Sequence, residues 1–169
     1  MKLPIIIFCL TLLSCSGGSG GSGSPDSNQN NPSRDNVEVE ESSTATLAYM
    51  KLVNDHRKGL GLAPLIYVEE IADLAQKHSE EMAAGEVDFG HQGFSTRCAD
   101  ARSLMNGGNW CGENVARGQE SIEAVFASWM KSNGHRANIE NPRATHTGLG
   151  SETSSEGETF WTQIFLEVN

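Results

Sequence analysis

Residues Cys111-Gly112-Glu113-Asn114-Val115-Ala116 decide how this chain is read, because they set a carboxylate between a glycine and an amide directly after a cysteine. Such a composition suits a site better than a solvated surface run. Working outward, the polar side chains able to meet Glu113 across a fold are His91 before it and His135 after it. From Gly85 to Gly118 no period is sustained and glycine is frequent, with room for a short helix over residues 95–104. Irregular segments of that length are usually functional or disordered.

The flanks are regular. Leu47, Met50, Val53 and Arg57 recur at helical spacing after Ser42-Ser43-Thr44, whose hydroxyls suit an N-cap, and this first helix stops at Gly59 and Gly61. Ala63-Pro64-Leu65 reads as an extended link. A second helix carries Val68, Ile71, Ala72, Ala75, Ser79 and Met82 up to Gly85, with His78 expected as a hydrogen-bonded packing histidine on its apolar stripe. A third follows Glu120-Ser121 through Ile122, Val125, Phe126, Trp129 and Met130, ends at Asn133-Gly134, and leaves His135 just past a helix C-terminus. Residues 145–150 read as a strand, 151–158 as a polar loop and 159–168 as a second strand, the simplest arrangement being an antiparallel pair. The class is α+β, with helices covering a small antiparallel sheet.

The chain has 169 residues, the size of one domain, and 22 acidic against 12 basic residues with no basic stripe, so nucleic acid is an unfavourable partner. Met1-Lys2 precedes an apolar run from Leu3 to Leu13 that is too short to span a bilayer and reads as an export signal. Its end, Leu12-Leu13-Ser14-Cys15, resembles the bacterial lipobox. Residues 1–14 are therefore expected to be a lipoprotein signal peptide, and Cys15 the lipid-modified residue that anchors the chain to the membrane; an ordinary secretory signal or an uncleaved stub is the alternative. Several acyl chains on one cysteine make a firm anchor. Ser16 beside it, with no aspartate, points to the outer membrane in a cell that has one. Residues 15–43, rich in Gly and Ser and then in Asn, Ser and Pro, form a tether to a domain over 44–169, which is long enough for a core. With Cys9 removed and Cys15 modified, Cys98 and Cys111 remain to form a disulfide in an oxidising compartment. A cysteine nucleophile would need Cys111 free, which argues against cysteine catalysis.

An ordered set of short motifs carries a resemblance: Asn54-Asp55-His56-Arg57, Leu62-Ala63-Pro64-Leu65, His91, the Cys111–Ala116 stretch, Trp129, Gly134-His135-Arg136, Gly148-Leu149-Gly150 and Trp161-Thr162-Gln163-Ile164-Phe165. Together they resemble the CAP superfamily of cysteine-rich secretory proteins, antigen 5 and pathogenesis-related class 1 proteins (the SCP-like domain), over residues 44–169. Gly-His-Arg after the tryptophan helix is most similar to its bacterial branch. The resemblance implies an α-β-α sandwich. It also implies a cleft lined by two histidines and two glutamates, in which the histidine pair can take zinc or another divalent cation. By motif, His91 and His135 match the histidines and Glu113 one glutamate, assisting the metal, while Ser132 stands where eukaryotic members carry the second.

Each assignment has a structural counterpart. Glu113 stands equally as a ligand or as an acceptor that holds its loop, and His135 as a cleft residue or a cation capping its helix. Arg136 is expected to bridge carboxylates or carbonyls, Asn114 to brace the loop, Trp129 and Trp161 to be core, and His56 and Arg57 to pack and hydrogen-bond. The leading functional expectation is a non-enzymatic, membrane-tethered, extracytoplasmic binding or interaction module, whose partner is a small ligand, lipid, peptide or protein. A metal- or Glu113-dependent hydrolase and an envelope structural protein with a vestigial cleft are the alternatives. No serine, threonine or free cysteine lies in a nucleophile motif, which weighs against the hydrolase.

Overall fold

The computed structural model describes the backbone from residue 34 and the side chains from residue 44 to the end of the chain. The expected signal peptide, Cys9, Cys15 and the Gly/Ser run lie outside the described residues. The elements in chain order are α1 (Arg34–Gly59), β1 (Ile66–Tyr67), α2 (Glu69–Ala83), α3 (Phe94–Met105), β2 (Cys111–Arg117), α4 (Ile122–Lys131), α5 (Asn133–Ile139), β3 (His146–Thr153) and β4 (Thr159–Leu166). They form one sheet, ordered β1-β3-β4-β2, between two layers of helix.

β4 is the centre of this arrangement because it is paired antiparallel on both sides, with β3 and with β2. Alternation along it sorts the core. Trp161 and Phe165 join Tyr49 and Val53 of α1, Val125 and Trp129 of α4 and Ile139 of α5. Ile164 and Leu166 join Ile71 and Ala75 of α2 and Ala101 of α3, and Phe160 joins Met82. A strand with period-two side chains, buried on both faces, produces the three-layer sandwich.

The expected antiparallel pair is present, and β1 adds a short parallel strand beside β3, with Ile66 opposite His146. Gly148 and Gly150 on β3 explain why α2 can lie on the sheet: a Cβ at either would stand 2.2 Å from a backbone nitrogen of α2, at Ala72 and Gln76 respectively. The side of the domain around α1 is tied by Arg57, fully buried, whose guanidinium donates to the carbonyls of Ala63, Ile139, Asn141 and Ala144 at 2.7–3.0 Å. Asn54 closes the same junction, exchanging two hydrogen bonds with the backbone of Leu65.

Three expectations are corrected. α1 begins at Arg34, so Ser42-Ser43-Thr44 lie inside the helix and the last part of the expected tether is helical; its glutamates are good helix formers, and no glycine or proline interrupts 34–44. The Cys111–Ala116 stretch is not a loop but strand β2. Polar Glu113 and Asn114 hide the apolar alternation a strand would show, because both are buried against specific partners. Finally, α4 ends at Lys131 and a further helix, α5, starts at Asn133, so the Asn133-Gly134 pair opens a helix.

Candidate functional site at the β2 edge

β2 is an edge strand, and its consecutive side chains diverge to the two helical layers. Glu113 turns to the α3 side and Asn114 to the α5 side. The edge itself is covered by side-chain donors: Asn138 Nδ2 reaches the Glu113 carbonyl at 3.0 Å, and Trp129 Nε1 the Val115 carbonyl at 3.2 Å. Occupying outward carbonyls in this way keeps an edge strand from pairing with another chain. Gly112 leaves room for the arrangement, since a Cβ there would meet the Trp110 ring at 2.8 Å and Asn138 Oδ1 at 3.0 Å.

Glu113 is buried beside this edge, its side chain 1 % exposed. Arg97 of α3 meets it with two prongs, Nε to Oε2 at 2.7 Å and an Nη to Oε1 at 2.9 Å. His91 completes the set, with Nδ1 2.9 Å from Oε1. A carboxylate already accepting from a guanidinium is the acceptor here too, so the hydrogen lies on Nδ1. His91 has a side chain 50 % exposed, and its Nε2 carries no hydrogen bond among the described residues.

The loop that presents His91 is itself clamped. Gly90 and Gly93 adopt φ of 149° and 78°, conformations that suit glycine. The carbonyl of Gly90 accepts from Nε2 of His78, and that of Gln92 from Nη1 of Arg97 at 2.7 Å. His78 is fully buried in α2, the packing role expected of it.

His135 comes from the opposite layer, in the first turn of α5 rather than past the end of a helix. The dipole argument for a cationic cap therefore does not apply. Asn114, expected to brace its own loop, instead ties β2 to α5, donating through Nδ2 to the His135 carbonyl at 3.1 Å and accepting from Asn138 at 2.9 Å. The His135 ring lies edge-on to Trp129, 6.5 Å between centroids. Its pKa is lowered, first by burial and second by the charge of His91. Arg136 does not bridge carboxylates: it is exposed and donates to Asn133 Oδ1 within its own helix.

Arg97 is the residue that sequence reading missed. A carboxylate in a stretch of low charge calls for a cation, but Arg97, Arg102 and Arg117 all flank the stretch and no pattern chooses between them. Packing does: Arg102 turns to the Gly108 carbonyl and Arg117 to Glu158, while the Cys98–Cys111 disulfide, Cα–Cα 6.1 Å, pins the residue next to Arg97 to the strand of Glu113.

Among the described residues no three His, Cys, Asp or Glu side chains are gathered so as to hold a metal ion. Glu113, expected to assist, has both oxygens engaged, which leaves two imidazoles. Ser132 joins α4 to α5 as C-cap of one and N-cap of the other, with no side-chain capping bond to α5.

Residues 50–165 match the family model of CAP, the cysteine-rich secretory protein family. The chain belongs to the CAP family. It is 32 % identical over 149 residues to the uncharacterized protein YkwD of Bacillus subtilis, covering 81 % of this chain and 56 % of that one. A second relative, the uncharacterized membrane protein YlbC of the same organism, is 28 % identical over 74 % of this chain and 35 % of its own length. The chain thus spans well under two thirds of the relatives it matches. Among solved structures, an extracellular protein containing a SCP domain from Bacillus anthracis aligns with TM-score 0.57 at 28 % identity, over 72 % of this chain and 39 % of that chain. An outer surface protein of Borrelia burgdorferi shares the fold, with TM-score 0.63 at 18 % identity over 73 % of this chain and 92 % of its own. The CAP fold accordingly accounts for the α-β-α sandwich, and the Cys98–Cys111 disulfide lies within the matched region.

Proposed function

We propose that this protein is a non-enzymatic, membrane-tethered CAP domain working outside the cytoplasm as a ligand-binding module, with its cleft at the β2 edge. The observation that carries the reading is the pair of imidazoles brought to that edge from opposite layers, His91 with an unbonded Nε2 and His135 with its basicity lowered. Two neutral imidazoles suit a borderline metal such as zinc, and a two-histidine set leaves coordination positions for a ligand or water. His91 and His135 would hold the cation; bound there, it would supply a Lewis-acidic attachment point for an anionic or carbonyl-bearing ligand. Glu113, engaged by Arg97, supports the site from behind.

Placement outside the cytoplasm is supported by the export-type N-terminus, by the disulfide and by the extracellular relative from Bacillus anthracis. Lipid attachment at Cys15 would make the full chain partition into a detergent phase, and Cys15→Ser would move it to the aqueous phase. The cleft is tested by calorimetric titration of the full-length chain with zinc. Binding that disappears in His91→Ala/His135→Ala supports the reading; binding unchanged by the double substitution removes this cleft as its site.

A further inference from the structure

Three sets of contacts converge on one exposed imidazole: Arg97 on both oxygens of Glu113, Glu113 on Nδ1 of His91, and His78 and Arg97 on the two carbonyls that flank His91. An exposed histidine needs none of these to be stable. A side chain half in water would ordinarily sample several rotamers and both neutral tautomers, and the tautomer is chosen by whatever hydrogen bond one nitrogen makes.

We propose that Arg97 and Glu113 form a positioning pair that locks His91 as its Nδ1–H tautomer, with the Nε2 lone pair left free on the half-exposed ring, and that Glu113 is consequently neither a metal ligand nor a general base. Arg97 is the pivot. Its Nε and one Nη fix the plane and angle of the carboxylate, while its other Nη holds the Gln92 carbonyl, so ring orientation and backbone position are set by one guanidinium. Lysine could not reproduce this, since a single ammonium lacks the planar fork that meets a carboxylate with two parallel bonds. Glu113 is held on a strand and Arg97 on a helix, the two joined by the disulfide at Cys98 and Cys111, so the constellation rests on rigid elements. Gly93 belongs to the same design, because a Cβ there would stand 3.0 Å from Nη1 of Arg97.

The inference rests on the cleft reading above, yet it concerns the metal-free protein and is tested there. Long-range nitrogen–proton NMR correlation on full-length, nitrogen-15-labelled protein, above the pH at which histidine is neutral and with chelator present, reports which ring nitrogen of His91 bears hydrogen. The expected result is hydrogen on Nδ1 in the wild type. Glu113→Ala should shift His91 to the Nε2–H form that free imidazole side chains prefer, and Arg97→Lys should yield a mixture. Zinc affinity should fall by about 10–100-fold in Glu113→Ala, the usual cost of losing an outer-shell partner of a ligating histidine. Hydrogen on Nε2 of His91 in the wild type would overturn the inference even if every variant failed to fold. The same tautomer in a folded Glu113→Ala would overturn it as well. A wild type with the Nδ1–H tautomer but no zinc binding would uphold the positioning pair while removing the cation reading.

Discussion

The backbone of Gly148 on β3 lies so close to that of Ala72 on α2 that a methyl group on Gly148 would stand 2.2 Å from the Ala72 nitrogen. The obstacle is backbone, not the flexible end of a side chain, so α2 must lift from the sheet to admit it. Gly148→Ala would gain a few tenths to about 1 kcal/mol from a less flexible unfolded chain and lose about 3 kcal/mol or more through overpacking. A lower urea midpoint at unchanged slope checks this. Gly59→Ala, in α1 with nothing within 4 Å of the added Cβ, is the control expected to keep that gain unopposed and raise the midpoint slightly.

Arg57 satisfies four carbonyls from inside the fold. Arg57→Lys keeps the charge but cannot span the same acceptors, leaving buried carbonyls unpaired at about 1–3 kcal/mol each. The expected loss is about 3 kcal/mol, and hydrogen exchange should accelerate at the end of α5 and in the α5–β3 connection, which together hold three of the four carbonyls. An unchanged midpoint in Arg57→Lys would show that charge alone suffices there.

The Cys98–Cys111 bridge closes a separation of 13 residues. Cys98→Ser/Cys111→Ser should cost about 3 kcal/mol by the chain-entropy account, and wild type treated with reductant should match it. The variant should also broaden the NMR signals of His91, because α3 and β2 are then joined around the cleft chiefly by Arg97 and Glu113.

Folding lowers the pKa of both His135 and His146 from 6.5, through burial in each case and through His91 as the second cause for His135. Between the folded values and 6.5 the unfolded chain binds more protons, so stability rises with pH across that window. Stability contributed by these groups is complete above the unfolded pKa, declines as pH falls through 6.5, and is fully lost below the folded values. Urea midpoints measured with chelator from neutral to mildly acidic pH should fall, and His135→Gln/His146→Gln should flatten the slope. A slope untouched by the double substitution would assign the pH dependence to other groups.

Much of the frame was legible in the chain because it rests on local periodicity. α2, α4 and β4 follow from the spacing of Ile71, Ala75, Val125, Trp129, Phe160 and Ile164, and the family motifs supply their order. β2 was hidden because Glu113 and Asn114 are polar yet buried, so alternation gave no sign of a strand. α5 was hidden because Asn-Gly is the usual mark of a chain turning away from a helix, and here it lies in the first turn of a new one.

Sequence alone determined the class of fold, the cysteine pair, and the candidacy of His91, Glu113 and His135, since each depends on residue type, period or order along the chain. Only the tertiary structure decided what those candidates do to one another. It gave Glu113 to Arg97, turned the Nδ1 of His91 to that carboxylate and moved His135 from the end of one helix to the start of the next. The reason is that a buried carboxylate takes its partner by reach and orientation across packed layers, and those quantities have no period for a sequence to display.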